Sequence, residues 1–190
     1  MQLMRKRVVR AEGLEIVDAQ GNVRARIGLS SDDESPFLSF HDASGRVRAR
    51  FGLSADGSAG LAIGDAEGKV RATLGLARDG SASLALGDRN GKIRAKFGLA
   101  SEGTPTFGLQ AKDGEMRFVF TLAQQGSPTV GLYDEHGKVR ARLGLAAEGS
   151  PIIRLLSADG DLRGIIGLAS DGTPVIQLLG KDGQPVWQAP

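Results

Sequence analysis

The sequence predicts an all-β chain of about eight 23-residue β-hairpin repeats. Three observations carry this. Glycine recurs at Gly45, Gly68, Gly91, Gly114, Gly137, Gly160 and Gly183, each 23 residues after the last (68 − 45 = 23), with Gly21 set 24 before Gly45. Between these glycines, apolar residues alternate with polar or small ones at a period of two, as in half-buried strands. The longest glycine-free stretch, Leu29 to Ser44, carries Pro36, so neither a long amphipathic helix nor a membrane-spanning helix can be written.

The unit from Gly68 to Asp88, GKVRATLGLARDGSASLALGD, shows each element in order. Its first strand runs from Val70 to Ala77, with Val70, Ala72, Leu74 and Leu76 on one face and Arg71, Thr73 and Gly75 on the other. The second runs from Ala82 to Asp88, with Leu84 and Leu86 in step. Between them Ala77-Arg78-Asp79-Gly80 has the chemistry of a type I turn followed by a left-handed glycine. Closing the hairpin at Ala77 and Ser81 pairs Leu76 with Ala82, Leu74 with Leu84 and Ala72 with Leu86, so the apolar faces match. The connection at Asp65-Ala66-Glu67-Gly68-Lys69 does not: a three-residue loop there sets Ile63 opposite Arg71, so a four-residue loop or a corner is expected. Second strands are expected to begin at Leu14, Pro36, Ala59, Ala82, Pro105, Pro128, Pro151 and Pro174, with half-strands at Val8 to Arg10 and Pro185 to Gln188. Proline fits a first strand position, where a missing N–H costs least.

One unit buries too little apolar surface to offset the entropy of ordering it, so neighbours must share ladders and a continuous apolar face. A linear β-solenoid is the alternative architecture; the apolar Val8, Val9, Leu14, Ile16 and Val17 at one end favour closure over a polar cap. The chain is taken as a single domain, 1–190, with a basic tail over 1–7 and repeats over about 8–188.

The segments VVRAEGLEIVDAQGNVRARIGLS and the repeated DxxGKVRAxLGLxxDGxPxLxLxD resemble the bacterial β-flower proteins over about residues 8 to 188. The resemblance implies a shallow, pseudo-symmetric barrel, a ring of short hairpins similar in outline to the membrane-associated Tubby-like domain without its central helix, and no known catalytic residues. The fifth unit departs most, reading Arg117-Phe118-Val119-Phe120-Thr121 where the others read RAxxG.

Composition narrows the function. Lys and Arg number 24 against 22 Asp and Glu, a net charge of +2, which excludes the broad basic surface that non-specific nucleic-acid binding needs. Without cysteine there is neither a disulfide framework nor a cysteine metal site, and a hydrophobic share of 41% is too high for a disordered chain. No nucleophile elbow, dinucleotide fingerprint or P-loop occurs. His41, in a strand, and His136, in a turn, are read as incidental, and the Asp-Gly pairs as turn formers rather than calcium ligands. The chain is expected to be no enzyme and to hold no metal or cofactor. The basic N-terminus has no apolar segment behind it, which favours a cytoplasmic location.

Three candidate sites follow. Leu38, Leu61, Leu84, Phe107, Val130, Ile153 and Ile176 share the apolar face and, in a closed ring, would line a central cavity for a lipid-like ligand. Arg24, Arg48, Arg71, Arg94, Arg117, Arg140 and Arg163 occupy one equivalent position on the other face, with Arg26, Arg50, Lys96 and Arg142 two residues on. They form either a band for anionic partners, including a peripheral membrane surface, or a set of ion pairs with Asp42, Asp65, Asp88 and Asp134. Ile152, Leu156, Ile165, Val175 and Leu179 make the polar face apolar near the C-terminus, either a homo-oligomer interface or a seam against Val8, Val9 and Val17. The expectation is a non-enzymatic binding or scaffold module for a lipid-like or anionic ligand, with self-assembly through the C-terminal patch as the alternative.

Overall fold

The computed structural model describes residues 10–123, 126–146 and 148–189. Val8, Val9 and the basic tail lie outside them. The chain forms two compact units, Met1–Arg78 and Asp79–Pro190. All regular structure is antiparallel β, in strands that follow one another in chain order. The first unit holds β1 (Gly13–Val17), β2 (Val23–Leu29), β3 (Pro36–His41), β4 (Val47–Leu53), β5 (Ala59–Gly64) and β6 (Val70–Leu76). The second holds β7 (Ala82–Gly87), β8 (Ile93–Leu99), β9 (Pro105–Gln110), β10 (Met116–Leu122), β11 (Pro128–Tyr133), β12 (Val139–Leu145), β13 (Pro151–Leu156), β14 (Leu162–Leu168), β15 (Pro174–Leu179) and β16 (Pro185–Ala189). Seven of the eight expected second strands start at the residue read from the sequence, and the half-strand at Pro185 is β16. No helix among the described residues is long and apolar enough to cross a membrane.

The expected hairpin register holds in the equivalent units. Across β4 and β5, Leu53 pairs with Ala59, Phe51 with Leu61 and Ala49 with Ile63. Their turn is a three-residue loop, Ser54 N donating to Ser58 O at 2.8 Å with Gly57 at φ 85°. The loop between β2 and β3 is one residue longer, which accounts for the 24-residue spacing at Gly21: Ser30 N donates to Ser35 O, and Glu34 takes the left-handed position at φ 56°.

The other set of turns corrects the sequence reading. Asp65 N donates to Lys69 O at 2.9 Å and Gly68 is at φ 81°, so this loop too has three residues, Ala66 to Gly68. The mismatch is absorbed one step later by a β-bulge: Gly64 pairs with Val70 and Ile63 with Ala72, leaving Arg71 over. The same shift leaves Arg24, Arg48, Arg94, Arg117, Arg140 and Arg163 over in their strands. All seven arginines of the repeat position are therefore bulge residues, and the extra residue lies in the strand rather than in the turn.

Barrel closure is the second correction. Among the described residues β1 has a ladder only with β2, and β16 only with β15, so hydrogen bonds do not close the order of strands. Nor do the apolar side chains meet in a buried centre. Among the described residues the buried apolar side chains are Ala25 and Ala85 alone.

Candidate functional site

Strand alternation, kept in phase by the bulges, sorts the side chains onto two faces in each unit. In the first unit one cross-strand row on the apolar face runs Leu14, Ile27, Leu38, Phe51, Leu61, Leu74, each paired with the next. In the second it runs Leu84, Phe97, Phe107, Phe120, Val130, Leu143, Ile153, Ile166, Ile176, Ala189. All seven residues expected to line a cavity stand in these two rows. A parallel row alternates large with small: Ile16, Ala25, Phe40, Ala49, Ile63, Ala72 in the first unit. The second unit continues the pattern in Leu86, Ala95 and Leu109 and in Leu132, Ala141 and Leu155, with Phe118 between the two sets. No charged or hydrogen-bonding side chain stands in any of these rows. Many of these side chains are open to solvent, Phe51 and Leu74 at 56% and Phe97 at 53%, while Leu38, Leu61, Phe107, Val130 and Ile153 are half-buried and Ala25 is buried. Single exposed apolar residues are ordinary on a protein surface; contiguous rows of them are not.

The opposite face is mixed and more sheltered. In the first unit Phe37 lies between two guanidinium groups, Arg50 at 4.2 Å and Arg26 at 5.8 Å from its ring centre, and Arg26 also meets Glu15 at 3.7 Å. Beneath them Ser39 is 2% exposed, its Oγ 2.9 Å from His41 Nε2, while His41 Nδ1 lies 3.2 Å from Gly45 O. Sequence reading gave His41 no partner. The signal was there, since Ser39 stands two residues away on the same face of β3. A serine–histidine pair is the chemistry of a nucleophile and its base, but this hydroxyl is closed to a substrate. His136 is exposed, 3.7 Å from Glu135.

In the second unit the same face carries two shallow grooves. One, of about 260 Å³, is lined by Ser83, Lys96, Gly98, Thr106, Gly108 and Met116. The other, of about 240 Å³, is lined by Val119, Thr121, Thr129, Gly131, Tyr133 and Arg142. Glycine is required at the sheltered rows: a Cβ on Gly98 would lie 2.6 Å from Ala82 O, and one on Gly52 2.6 Å from Pro36 O.

The arginine column is engaged within the sheet. Arg48 Nε donates to Gly64 O on the next strand at 3.0 Å, and its Nη1 lies 3.8 Å from Asp42 in the preceding turn. Arg24 repeats this with His41 O at 3.3 Å and Asp18 at 3.6 Å, and Arg140 with Leu156 O at 3.2 Å and Asp134 at 3.3 Å. Arg71 meets Asp65 at 3.3 Å, and Arg163 reaches Gly180 O and Asp161, both at 2.9 Å. Arg117 pairs with Asp113. Arg94 Nη1 is buried without a hydrogen-bond partner. The aspartates also cap their own turns: Asp42 Oδ1 accepts from Ser44 N at 2.9 Å and Arg46 N at 3.1 Å. The Arg46 N–H is the main cause holding the Asp42 carboxyl below its ordinary value; desolvation opposes it, and the Ser44 N–H and Arg48 add to it. At Asp134 desolvation is the largest influence and acts upward, but the Lys138 and His136 N–H groups and Arg140 together outweigh it.

The C-terminal residues are brought together on the mixed face. Ile152 and Val175 flank Gly167 across β13 to β15, and Ile165 stands between Arg154 and Gln177. Leu156 and Leu179 lie at the bulged ends of their strands, opposite Leu162 and Pro185. Val17 pairs with Val23, and the seam expected against Val8 and Val9 falls outside the described residues.

No family model matches the chain, and no curated protein is significantly similar to it. A similar solved structure is the TCP domain of SAS-4 from Drosophila melanogaster in complex with a proline-rich motif. It is 15% identical, the match covers 93% of this chain and 96% of that one, and the TM-score is 0.48.

Proposed function

We propose that this chain is a non-enzymatic binding or scaffold module whose working surface is the uncharged apolar face of its sheet. The observation that carries this reading is the pair of apolar rows that begins on β7: contiguous, free of any charged side chain, and about half exposed at Phe97, Phe120, Leu143 and Ile166. Leaving so much apolar surface in water costs roughly 25 cal/mol per Å², so a partner that covers it gains that amount back. The chemistry calls for an apolar partner, either lipid-like or a protein face of the same character. The arginine column favours a structural role over an anion-binding one, because the guanidinium groups of Arg24, Arg48, Arg71, Arg117, Arg140 and Arg163 are engaged by turn carboxylates or strand-end carbonyls. Membership of the β-flower family remains a proposal from the sequence resemblance, and ring closure is no part of this reading.

The test is capture of a fluorescent apolar probe by the purified chain. Phe97→Lys, on the open face, lowers the signal several-fold, and Lys96→Ala, one residue away on the other face, leaves it within experimental error. Equal effects of the two substitutions would contradict the reading. Self-assembly through Ile152, Ile165 and Val175 is the second reading, favoured by their grouping on the mixed face of β13 to β15. Under it Ile165→Lys, and not Phe97→Lys, changes the oligomeric state.

A further inference from the structure

We infer that the occupant of the apolar face is a second copy of this chain, packed sheet on sheet. The inference rests on the preceding reading of that face as the working surface. Three features single out a copy over other apolar partners.

The first is relief. In the second unit, Ala95 lies between Leu86 and Leu109 and Ala141 between Leu132 and Leu155, with Phe118 between the two sets, so two hollows four strands apart interrupt a row of large side chains. Strands lie about 4.8 Å apart, which sets the hollows about 10 Å from ridge to ridge. A surface with ridges four strands apart, as Leu109 and Leu155 are, seats one ridge in each hollow. A second copy has that spacing by construction, and the fit is reciprocal, as a two-fold interface requires. The second feature is area. Ten strands of six or so residues present on the order of 1,000 Å² per copy and 2,000 Å² per pair, which reaches the upper end of the range for stable specific complexes. The third is charge. An interface between identical faces brings like groups together, and these rows hold no charged group to repel its counterpart. The product is a β-sandwich core made from two chains, with the inner faces about 10 Å apart.

The test is sedimentation of the full-length chain at micromolar concentration. The expected mass is twice 19.9 kDa. Phe97→Lys and Leu143→Lys, each at a half-exposed position, should give a monomer with an unchanged circular dichroism spectrum. A second readout does not depend on those variants. The chain has no cysteine, so Ala141→Cys supplies a single thiol on the face. Its maleimide labelling should slow at least several-fold as concentration rises through the dimerisation range, while that of Ser83→Cys on the other face does not change. A dimer that survives both lysine substitutions, as pairing through the edges of β1 or β16 would, overturns the inference. So does a monomer at every concentration. If that monomer binds uncharged phosphatidylcholine vesicles and Phe97→Lys abolishes the binding, the partner is lipid and the reading of the face stands without the second copy. If it ignores vesicles and Ala141→Cys is protected at every dilution, both fall.

Discussion

The two faces of the sheet share a backbone and differ in every other respect. On one, Leu61, Leu74, Phe97 and Phe107 stand in rows with no polar neighbour beside them. On the other, Arg26, Arg50, Ser39 and His41 cluster in the first unit, and small residues such as Gly98 and Gly108 separate longer side chains in the second. What keeps the two chemistries apart is the bulge. At the turns that lead into the arginine-bearing strands, a three-residue loop brings the strand back one residue out of phase, and the leftover arginine restores the phase, so that Phe40 meets Ala49 and not Arg48. The arginine is then held by the turn behind it and the strand end ahead of it, and one residue both corrects the register and clips neighbouring hairpins together.

Deletions probe this division most severely. Removing Arg48 takes out the bulge residue itself: the ladder becomes regular, Phe40 still meets Ala49, and the expected loss is that of a solvent-exposed clip, roughly 1 kcal/mol. Removing Arg50 is different, because the strand can keep Phe51 opposite Leu38 only by giving up the bulge, which turns Arg48 onto the apolar face against Phe40. A loss of roughly 3 kcal/mol is expected there. Urea midpoints of the two variants distinguish the cases, and equal losses would mean that the bulge does not set the phase.

Along the mixed face the backbone is tight at some glycines and open at others, and substitutions there measure the difference. Gly98→Ala would drive a Cβ to 2.6 Å from a backbone carbonyl and is expected to cost about 2 kcal/mol. At Gly60 the nearest atom is 3.7 Å away, and Gly60→Ala should shift stability by no more than about 0.5 kcal/mol in either direction. Thermal melts of the two proteins give the comparison directly.

Much of this was legible in the sequence, because its signals are local. Period-two alternation located β3 to β15, and the Asp-Gly turns fixed the hairpin register, as the Phe51 and Leu61 pair shows. The bulge was missed because counting residues between Asp65 and Lys69 measures the turn, while the extra residue is Arg71, already inside the strand. An arginine recurring just where the phase fails was the available sign. Closure is not legible in the sequence for another reason: whether a last strand meets a first is decided by twist accumulated over many ladders, and no residue records it. The cavity residues were placed on the correct face, but a shared face becomes an enclosed site only if something covers it.

Smaller effects come from the turns. Glu34 is the sole non-glycine among the described residues with positive φ, and Glu34→Gly should raise stability by roughly 1 kcal/mol, read from the melting temperature. The capping aspartates set the acid limit. Because the Asp42 carboxyl titrates below its ordinary value of 3.8 in the folded chain, the unfolded chain binds the proton first as pH falls. The stability it supplies is complete above the ordinary carboxylate range and is lost as pH drops through its lowered folded value. Asp42→Asn should flatten the stability profile below that range and leave its slope above neutral pH unchanged, as pH-dependent melts would record.

The apolar rows must belong to the surface of the single chain for the open face to work as a binding surface. Hydroxyl-radical footprinting at nanomolar concentration reads this residue by residue. Phe51, Leu74 and Phe97 should be modified at the rates of solvent-exposed side chains while Ala85 stays protected. Protection of those three residues at every dilution would mean that the rows are folded into the interior of one chain, and would contradict the open face on which the function has been built.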